Sequence, residues 1–467
     1  MTHVTHRELM PGVRLTAVQT DKFKTNLLSV SLLAPISEET ASANALLPYV
    51  LRRGTERCPD METLSAALDE LYGGSIEPMV RKKGETQAVG FAASFVDDAF
   101  APGDTRILES AAGLLGDVLL RPAVSGGRFL AEYVEGERAN LVDRIHAQIN
   151  EKRSYSILRL TQEMCAGEPY GVDKLGDEAH AAAITVEGLW KRYQSLLACA
   201  PVELYYCGSA GEERVAAALT SALAGLPRAE ELEEPECGVQ TGAVGDAPRL
   251  FTESMDVTQG KLALGFRTGG GCIWSEDYPA LLVCNAVYGG TPTSKLFLNV
   301  REKLSLCYFA SSMLEKFKGI MMVSSGIEFQ NYEKAKDEIL AQLENCRGGN
   351  IEAWELEGAK RSIISGLYAT MDAQGRLEDF WEFNLDLGDR FPLEIEAIVG
   401  SNLELVSAFQ DSLLQRAVFQ SQHDHVPLPC IAGLFPDKRP FNALIVLSLD
   451  RSIVVDDLHA SSNSYTS

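Results

Sequence analysis

Apolar and polar residues follow one another along this chain in patterns that predict helices and strands in a definite order. A largely apolar run at 24–35 ends in a proline and predicts a strand. The next segment, 38–53, repeats leucine and valine at helical spacing and stops before Gly54, so it predicts a helix. The rest of the first half predicts helices at 61–71, 104–120, 128–166, 185–197 and 212–224, with strands at 87–96 and 201–207.

The same order of elements returns after residue 248. A strand at 261–268 is followed by helices at 278–288, 331–346 and 350–371. Ala45 begins an Ala-Leu-Leu run and lies nine positions before Gly54, as Ala280 does before Gly289, at an offset of 235 residues. The recurring order predicts an internal repeat, and hence two homologous domains.

The segment after Gly289 carries the most notable polar side chains. Thr291 and Pro292 predict a helix N-cap followed by proline at the first helical position, where the missing N–H costs nothing. Arg301 borders the apolar face of that helix, and Tyr308 lies in the strand-like segment that follows. Judged by residue type alone, such an arginine more often bonds to carbonyls or pairs with an acid, and such a tyrosine more often belongs to a core.

The composition is typical of a folded protein with a strongly acidic charge. A chain of 467 residues with 46% hydrophobic and 23% charged residues fits two to four domains. The net charge of −23 argues against a nucleic-acid groove or an anionic membrane surface, because both need clustered lysine and arginine. No apolar run approaches the roughly 18 residues of a membrane span. The ten cysteines are scattered without a C-x-x-C pair, which predicts a reducing, cytoplasmic location.

An acidic stretch with two prolines divides the chain. Residues 229–248 lack an apolar period and are interpreted as a linker. The predicted domains are therefore 1–228 and 249–410, followed by a divergent tail at 411–467. The tail contains Pro-Leu-Pro and a serine-rich end, which predict an extended or partly disordered terminus.

Two stretches resemble the insulinase, pitrilysin and mitochondrial processing peptidase family, the inverzincins. They are Val-Thr-Gln-Gly-Lys-Leu-Ala-Leu-Gly-Phe-Arg-Thr at 257–268 and the segment 289–308. The resemblance covers roughly residues 15–400 and implies an α+β fold of two homologous domains, each a mostly antiparallel sheet with helices packed on one face. It also aligns 45–55 with the family's zinc helix, which normally carries H-x-x-E-H and ends in the same Gly-Thr.

On that alignment the zinc motif is degenerate. The first histidine falls at Ala45, the catalytic glutamate at Pro48 and the second histidine at Tyr49. Alanine and proline have no side-chain donor atoms, and a phenol is an uncommon zinc ligand. No carboxylate is left to take a proton from a metal-bound water. We therefore expect no metal site and no cofactor in this chain.

Other positions offer no replacement ligands. The third zinc ligand of the family, a glutamate, falls near Arg144, with Glu135 and Glu137 as alternatives, and an arginine there would repel a cation. No two of the seven histidines are spaced i, i+4. His423 and His425 could bind a metal, but an exposed loop pair is the favoured interpretation.

The second half retains the other part of the family's site. In the family, the domain that faces the zinc supplies an arginine and a tyrosine seven residues apart, which hold the substrate backbone and the developing oxyanion. Arg301 and Tyr308 stand at that spacing. An arginine is always charged and forked, and a tyrosine hydroxyl can donate to an oxyanion. The family's Gly-Leu-Ala-Tyr is replaced here by Ser-Leu-Cys-Tyr from Ser305, so the turn before Tyr308 departs from the family pattern.

Two further segments bear on peptide binding and on the surface. The strand at 87–96 corresponds to the edge strand to which family members add a peptide as an extra strand, and this needs only main-chain groups. The basic run Arg-Lys-Lys-Gly at 81–84 is predicted to be a solvated hairpin turn.

Three functional hypotheses follow. In the first, this chain is a zinc-free subunit, inactive alone, that pairs with a zinc-bearing homologous subunit and presents Arg301 and Tyr308 to the peptide bound there. In the second, it is a non-enzymatic peptide-binding or assembly protein, acting as a homodimer. The third, an autonomous zinc protease with unorthodox ligands, is disfavoured by the missing donors. No nucleic-acid or membrane partner is expected.

Overall fold

The computed structural model describes residues 3–103, 105–240 and 248–381 and the backbone of 445–450. These residues form two compact units. The first contains the chain up to Ala147, Glu168–Cys237 and the segment Tyr368–Trp381. The second contains Gln148–Gly167, Gly238–Leu367 and the strand at 445–450.

The first unit is built on a six-stranded sheet. Its strands are β1 (His3–Met10), β2 (Val13–Gln19), β3 (Thr25–Pro35), β4 (Ser75–Lys83), β5 (Thr86–Val96) and β8 (Val202–Gly208), and a separate small hairpin is formed by β6 (Val124–Ser125) and β7 (Arg128–Phe129). The strand order is β1-β2-β8-β3-β5-β4. Strands β2 and β8 run parallel, and the other neighbouring pairs run antiparallel.

Helices cover this sheet and enclose an apolar core. They are α1 (Glu38–Leu51), α2 (Met61–Asp69), α3 (Ile107–Leu120), α4 (Ala131–Ala147), α6 (Glu178–Ala182), α7 (Val186–Cys199), α8 (Glu212–Ala222) and α12 (Gln374–Trp381). Val30 and Phe91 of the sheet are buried in one cluster with Leu46 of α1 and Leu115 of α3. Thr185 caps α7, because its hydroxyl accepts a hydrogen bond from a backbone N–H at 3.1 Å.

The second unit has a five-stranded sheet. Its strands are β9 (Arg249–Ser254), β10 (Gly260–Arg267), β11 (Cys307–Glu315), β12 (Ile320–Ile327) and β13 (Ile445–Asp450), and its helices are α5 (Lys152–Met164), α9 (Tyr278–Asn285), α10 (Tyr332–Arg347) and α11 (Ala353–Thr370). The order is β11-β12-β10-β13-β9, with β13 and β9 parallel and the other pairs antiparallel. The expected α+β fold with two mostly antiparallel sheets is thus observed.

Each sheet is completed by a helix from the other half of the sequence. Helix α5 packs on β10, where a Cβ on Gly265 would lie 2.6 Å from the Met164 sulfur. Helix α12 packs on the first sheet, where Gln374 Nε2 donates to the carbonyls of Thr25 and Cys207 at 2.8 Å. The Tyr205 hydroxyl also donates to the Gln374 carbonyl, so α12 lies on the face opposite the main core. The sequence boundaries at 228 and 249 do not anticipate this exchange.

Three predictions about the first half are wrong. The segment 128–166 is not one helix, because a short 3-10 turn at Gln148–Asn150 separates α4 from α5. The strand at 87–96 is not an edge strand, since β5 pairs with β3 on one side and β4 on the other. The basic run does end in a hairpin turn but is not solvated. Arg81 donates to Glu378 Oε2 at 2.8 Å, and Lys82 Nζ donates to the Tyr170 carbonyl at 2.9 Å.

The linker and tail are described only in part. Residues 229–240 form neither helix nor strand, and the Glu233 N–H donates to the Cys199 carbonyl at the end of α7 at 2.8 Å. Within the tail predicted to be extended or partly disordered, Ile445–Asp450 form a strand. Residues 382–444, which include His423 and His425, lie outside the described residues. None of the helices in the described part of the chain is long and apolar enough to cross a membrane.

Candidate functional site

Helix α1 carries the three positions that the family uses for zinc chemistry. Ala45 is fully buried in the apolar core of the first unit. Pro48 lies inside the helix, where it removes the N–H that would otherwise bond to the carbonyl four residues earlier. Tyr49 is half-buried at the edge of this core. Two of the three side chains have no donor atom, and the third, Tyr49, makes a contact of a different kind.

The ring of Tyr49 is covered by a cation from the neighbouring helix. The Arg144 guanidinium carbon, on α4, lies 3.5 Å from the centroid of the Tyr49 ring, a cation–π contact. Of the three positions considered for the third zinc ligand, Arg144 is therefore the one that reaches Tyr49. Glu137 instead bonds to Arg53 at 3.2 Å, and Glu135 is exposed.

These residues do not fit a zinc ion. The side chains that would ligate it are replaced by a methyl group and a phenol, and a fixed positive charge occupies the facing helix. Within the described ranges, no group of three or more His, Cys, Asp or Glu residues is arranged to hold a metal. This helix therefore supplies no metal-dependent step.

The second candidate pair begins in a wide helical segment of the second unit. This segment, Leu296–Lys303, has π-type hydrogen bonding, which is rare and is frequently found at functional sites. The prediction that a helix begins with Thr291 as its N-cap is wrong, because the Thr291 hydroxyl donates to the Ala286 carbonyl at 3.0 Å. The residues that follow form a turn before the helical segment begins.

A buried ion pair fixes the start of this segment. Lys295 Nζ donates to both carboxylate oxygens of Glu355 on α11, at 2.9 and 2.8 Å. Both side chains are under a tenth exposed. Sequence reasoning missed this pair, because nothing local relates two residues sixty positions apart.

Arg301 is available at the end of the segment. Its guanidinium lies 4.6 Å from the Phe297 ring centroid and 3.4 Å from a carboxylate oxygen of Glu302, while 41% of the side chain is exposed. It makes no hydrogen bond to a carbonyl within the described residues. Burial raises the pKa of the Cys307 thiol, and the positive charge of the nearby Arg301 partly offsets this rise. The alternative that this arginine pairs with an acid is therefore confirmed, while the side chain stays substantially exposed.

Tyr308 projects from a bulge in the edge strand β11. The pairing with β12 shifts register between Cys307 and Phe309, so Tyr308 is the extra residue. Bulges re-aim side chains and are common beside active sites. The Tyr308 side chain is 61% exposed, and its hydroxyl makes only a long 3.5 Å contact to Glu328. The alternative that this tyrosine belongs to a core is wrong.

The turn before Tyr308 needs a backbone conformation that favours glycine. Ser305 has a φ of 50°, in the left-handed region, which is the position where the family pattern has glycine. The left-handed conformation costs a non-glycine residue about 1–2 kcal/mol. The substitution noted in the sequence thus leaves a glycine-type turn in place with some strain.

Comparison with known proteins places this architecture in a family. Residues 183–363 match a family model described as the peptidase M16 inactive domain. The "probable inactive metalloprotease YmfF" of Bacillus subtilis is 36% identical over 372 residues, which cover 79% of this chain and 85% of that protein. An "uncharacterized zinc protease YmxG" of the same organism is 26% identical over 134 residues, covering 27% of this chain and 32% of that protein.

The fold is also found among solved structures. A conserved protein from Enterococcus faecalis superposes with a TM-score of 0.81 at 26% identity, covering 96% of this chain and 99% of that one. The extent of these similarities, together with a zinc helix that has lost its donor side chains, shows that the chain belongs to the M16 peptidase family as an inactive metalloprotease homologue.

Proposed function

We propose that this chain is the zinc-free subunit of a heteromeric M16 peptidase, in which a homologous partner carries the zinc. Its own contribution is Arg301 and Tyr308. Arg301 binds the backbone of the peptide held by the partner, and the Tyr308 hydroxyl donates to the oxyanion that develops on the scissile carbonyl. The peptide is the substrate of the pair.

The single observation that carries this proposal is the exposure of both side chains. Arg301 has 41% of its side chain exposed and Tyr308 is 61% exposed, on a segment that is otherwise well anchored. The nearby Lys295–Glu355 ion pair is buried, so the protein fixes the main chain of this segment. Its two chemically able groups keep only exposed contacts, to Glu302 and Glu328, which a bound peptide could replace.

The relatives supply a reason to expect two kinds of subunit. Bacillus subtilis has one relative named as an inactive metalloprotease and another named as a zinc protease. An organism with both could assemble a pair in which each chain supplies half of a site. The nine cysteines in the described ranges are thiols, which supports a cytoplasmic setting for such a pair.

The test is hydrolysis of a quenched fluorescent peptide by the purified pair. Tyr308→Phe removes one oxyanion donor, and losses of this kind lower kcat about 100- to 1000-fold. Arg301→Ala is expected to act mainly through KM, because it removes a substrate contact. Arg361→Ala is the matched control, since Arg361 is an exposed arginine on α11 of the same unit. Undiminished hydrolysis by the Arg301→Ala and Tyr308→Phe pairs would refute the proposal.

The second candidate, a homodimeric peptide-binding or assembly protein, meets an obstacle at the sheet edge. The edge of the first sheet beside β5 is β4, where the Ile76 carbonyl already accepts a hydrogen bond from Arg52 Nε at 2.6 Å. Pro78 in the same strand has no N–H. Strand addition along the whole length of β4 is therefore disfavoured. Peptide binding by the lone chain, with no hydrolysis by any mixed pair, would favour this candidate.

A further inference from the structure

The Arg144 guanidinium is a covered cation without an acceptor. Its Nε and Nη2 atoms are buried and have no hydrogen-bond partner, and it forms no ion pair within the described ranges. One face of the group lies on the Tyr49 ring at 3.5 Å. Both residues are half-buried, so the pair reaches the protein surface.

The neighbouring arginine on the same helix interface is, by contrast, neutralised. Arg53 Nη1 lies 3.2 Å from Glu137 Oε1, and the Arg53 guanidinium stacks on Tyr133 at 5.2 Å. Asn140 donates to the second oxygen of the same carboxylate. Two arginine–tyrosine stacks thus lie where α1 and α4 pack together. The Arg53–Tyr133 stack includes a carboxylate that pairs with the arginine, and the Arg144–Tyr49 stack does not.

The acids around Arg144 do not complete the second stack. Asp143, its neighbour on α4, is exposed and makes no ion pair in the described part of the chain. On the adjoining helix α6, Glu178 lies 2.8 Å from His146, and Asp177 at its start binds His180. Among the described residues, no acid of α4 or α6 therefore pairs with the Arg144 guanidinium beside Tyr49.

A covered N–H without an acceptor is unfavourable, and more so when the group is charged, as the Arg144 guanidinium is. Native proteins satisfy such groups with water, an ion or a ligand. The best complement to a planar, forked cation is a carboxylate, which accepts two parallel hydrogen bonds. Because Arg144 has no acceptor to give up, a carboxylate that reaches it gains these bonds without breaking others.

We propose that Arg144 and Tyr49 form a carboxylate-binding site at the helix position where M16 peptidases hold zinc. The guanidinium provides the charge and the fork, and the tyrosine ring holds it in place. The ligand is a peptide carboxylate, supplied either by the chain terminus or by an acidic side chain. This inference stands apart from the roles of Arg301 and Tyr308, and it can fail without affecting them.

The test compares three unlabelled, N-acetylated alanine pentapeptides by isothermal titration calorimetry with the full chain. One ends in a free carboxylate, one ends in an amide, and one has an amidated end with a central glutamate. We expect at least one carboxylate peptide to bind ten or more times tighter than the uncharged amide, with a preference that weakens as salt is added. Tighter binding of the first peptide identifies the terminus as the source, and tighter binding of the third identifies the side chain.

Variants decide whether Arg144 is responsible. Arg144→Gln is expected to remove the preference entirely, and Arg144→Lys to retain a smaller one because it keeps the charge without the fork. Arg138→Gln is the matched control, because Arg138 lies on the same helix and donates to the Ile184 carbonyl at 2.9 Å. Equal binding of all three peptides by the unmodified chain overturns the proposal, as does a preference that survives in Arg144→Gln or disappears in Arg138→Gln. If Arg144→Gln fails to fold, an undiminished preference in Arg144→Lys overturns it instead.

Discussion

Replacing Glu355 with leucine should destabilise the second unit more than any surface change nearby. The carboxylate accepts two hydrogen bonds from Lys295 Nζ, at 2.9 and 2.8 Å, and a third from the Glu352 N–H at 2.8 Å. The variant leaves the Lys295 ammonium, only 8% exposed, without its counter-ion. Breaking a buried pair from one side costs about 3–5 kcal/mol, because the remaining charge is uncompensated.

The opposite truncation should cost less. In Lys295→Met the Glu355 carboxylate keeps the hydrogen bond from Glu352, so it is not left wholly unpaired. The double variant Lys295→Met with Glu355→Leu removes both charges, and such replacements are often neutral or stabilising. A surface comparison is Glu344→Ala, which breaks an exposed pair with Arg347 and should cost at most about 1 kcal/mol.

Stability is best measured by hydrogen exchange of the α10 and β12 amides across a urea series, since two units need not unfold together. The expected order of destabilisation is Glu355→Leu, then Lys295→Met, then the double variant. A loss below about 1 kcal/mol for Glu355→Leu would refute the view that this pair is dry and closely coupled. A double variant as unstable as the worse single variant would show that packing, and not charge, holds the segment.

Four further outcomes are expected. Gly113→Ala in α3 should stabilise the protein by about 0.5–1 kcal/mol, since a Cβ there meets no atom within 4 Å. Gly116→Ala should destabilise it by about 1–3 kcal/mol, because the added Cβ would lie 2.4 Å from the Ala222 carbonyl oxygen. Equal urea midpoints for the Gly113→Ala and Gly116→Ala variants would contradict this packing. The Asp177 carboxylate, bonded to the His180 ring at 2.5 Å, raises the pKa of His180. The stability lost in His180→Gln should therefore be largest below about pH 6.5 and vanish as the pH rises through the raised pKa. A stability difference between the two proteins that does not change with pH would contradict this. Elemental analysis of the purified chain should find far less than one zinc per molecule, and a stoichiometric, tightly held ion beside α1 would overturn the account of that helix.

Several elements followed directly from the sequence because the information that forms them is local. The strand at 24–35 and the helices at 38–53 and 61–71 appear as β3, α1 and α2. Side-chain periodicity and capping residues act over a few positions, so the sequence records them. The loss of zinc donors at Ala45 and Pro48 is equally local, because neither side chain can ligate a metal in any fold.

Other features depended on contacts between residues far apart in the chain. The strand order decided that β4, and not β5, lies at one edge of the first sheet, and no local pattern encodes which strands become neighbours. The exchange of α5 and α12 between the units has the same origin. The sequence spacing of Arg301 and Tyr308 was visible, but their exposure was decided by tertiary structure through the bulge in β11.

The sequence by itself therefore determined that the zinc-motif side chains are replaced and that Arg301 and Tyr308 remain at the family spacing. Only the tertiary structure decided what takes the place of the missing chemistry, which is an arginine from α4 stacked on Tyr49. The physical reason is that donor atoms belong to single residues, whereas burial, stacking and hydrogen-bond partnership belong to pairs of residues that the fold brings together.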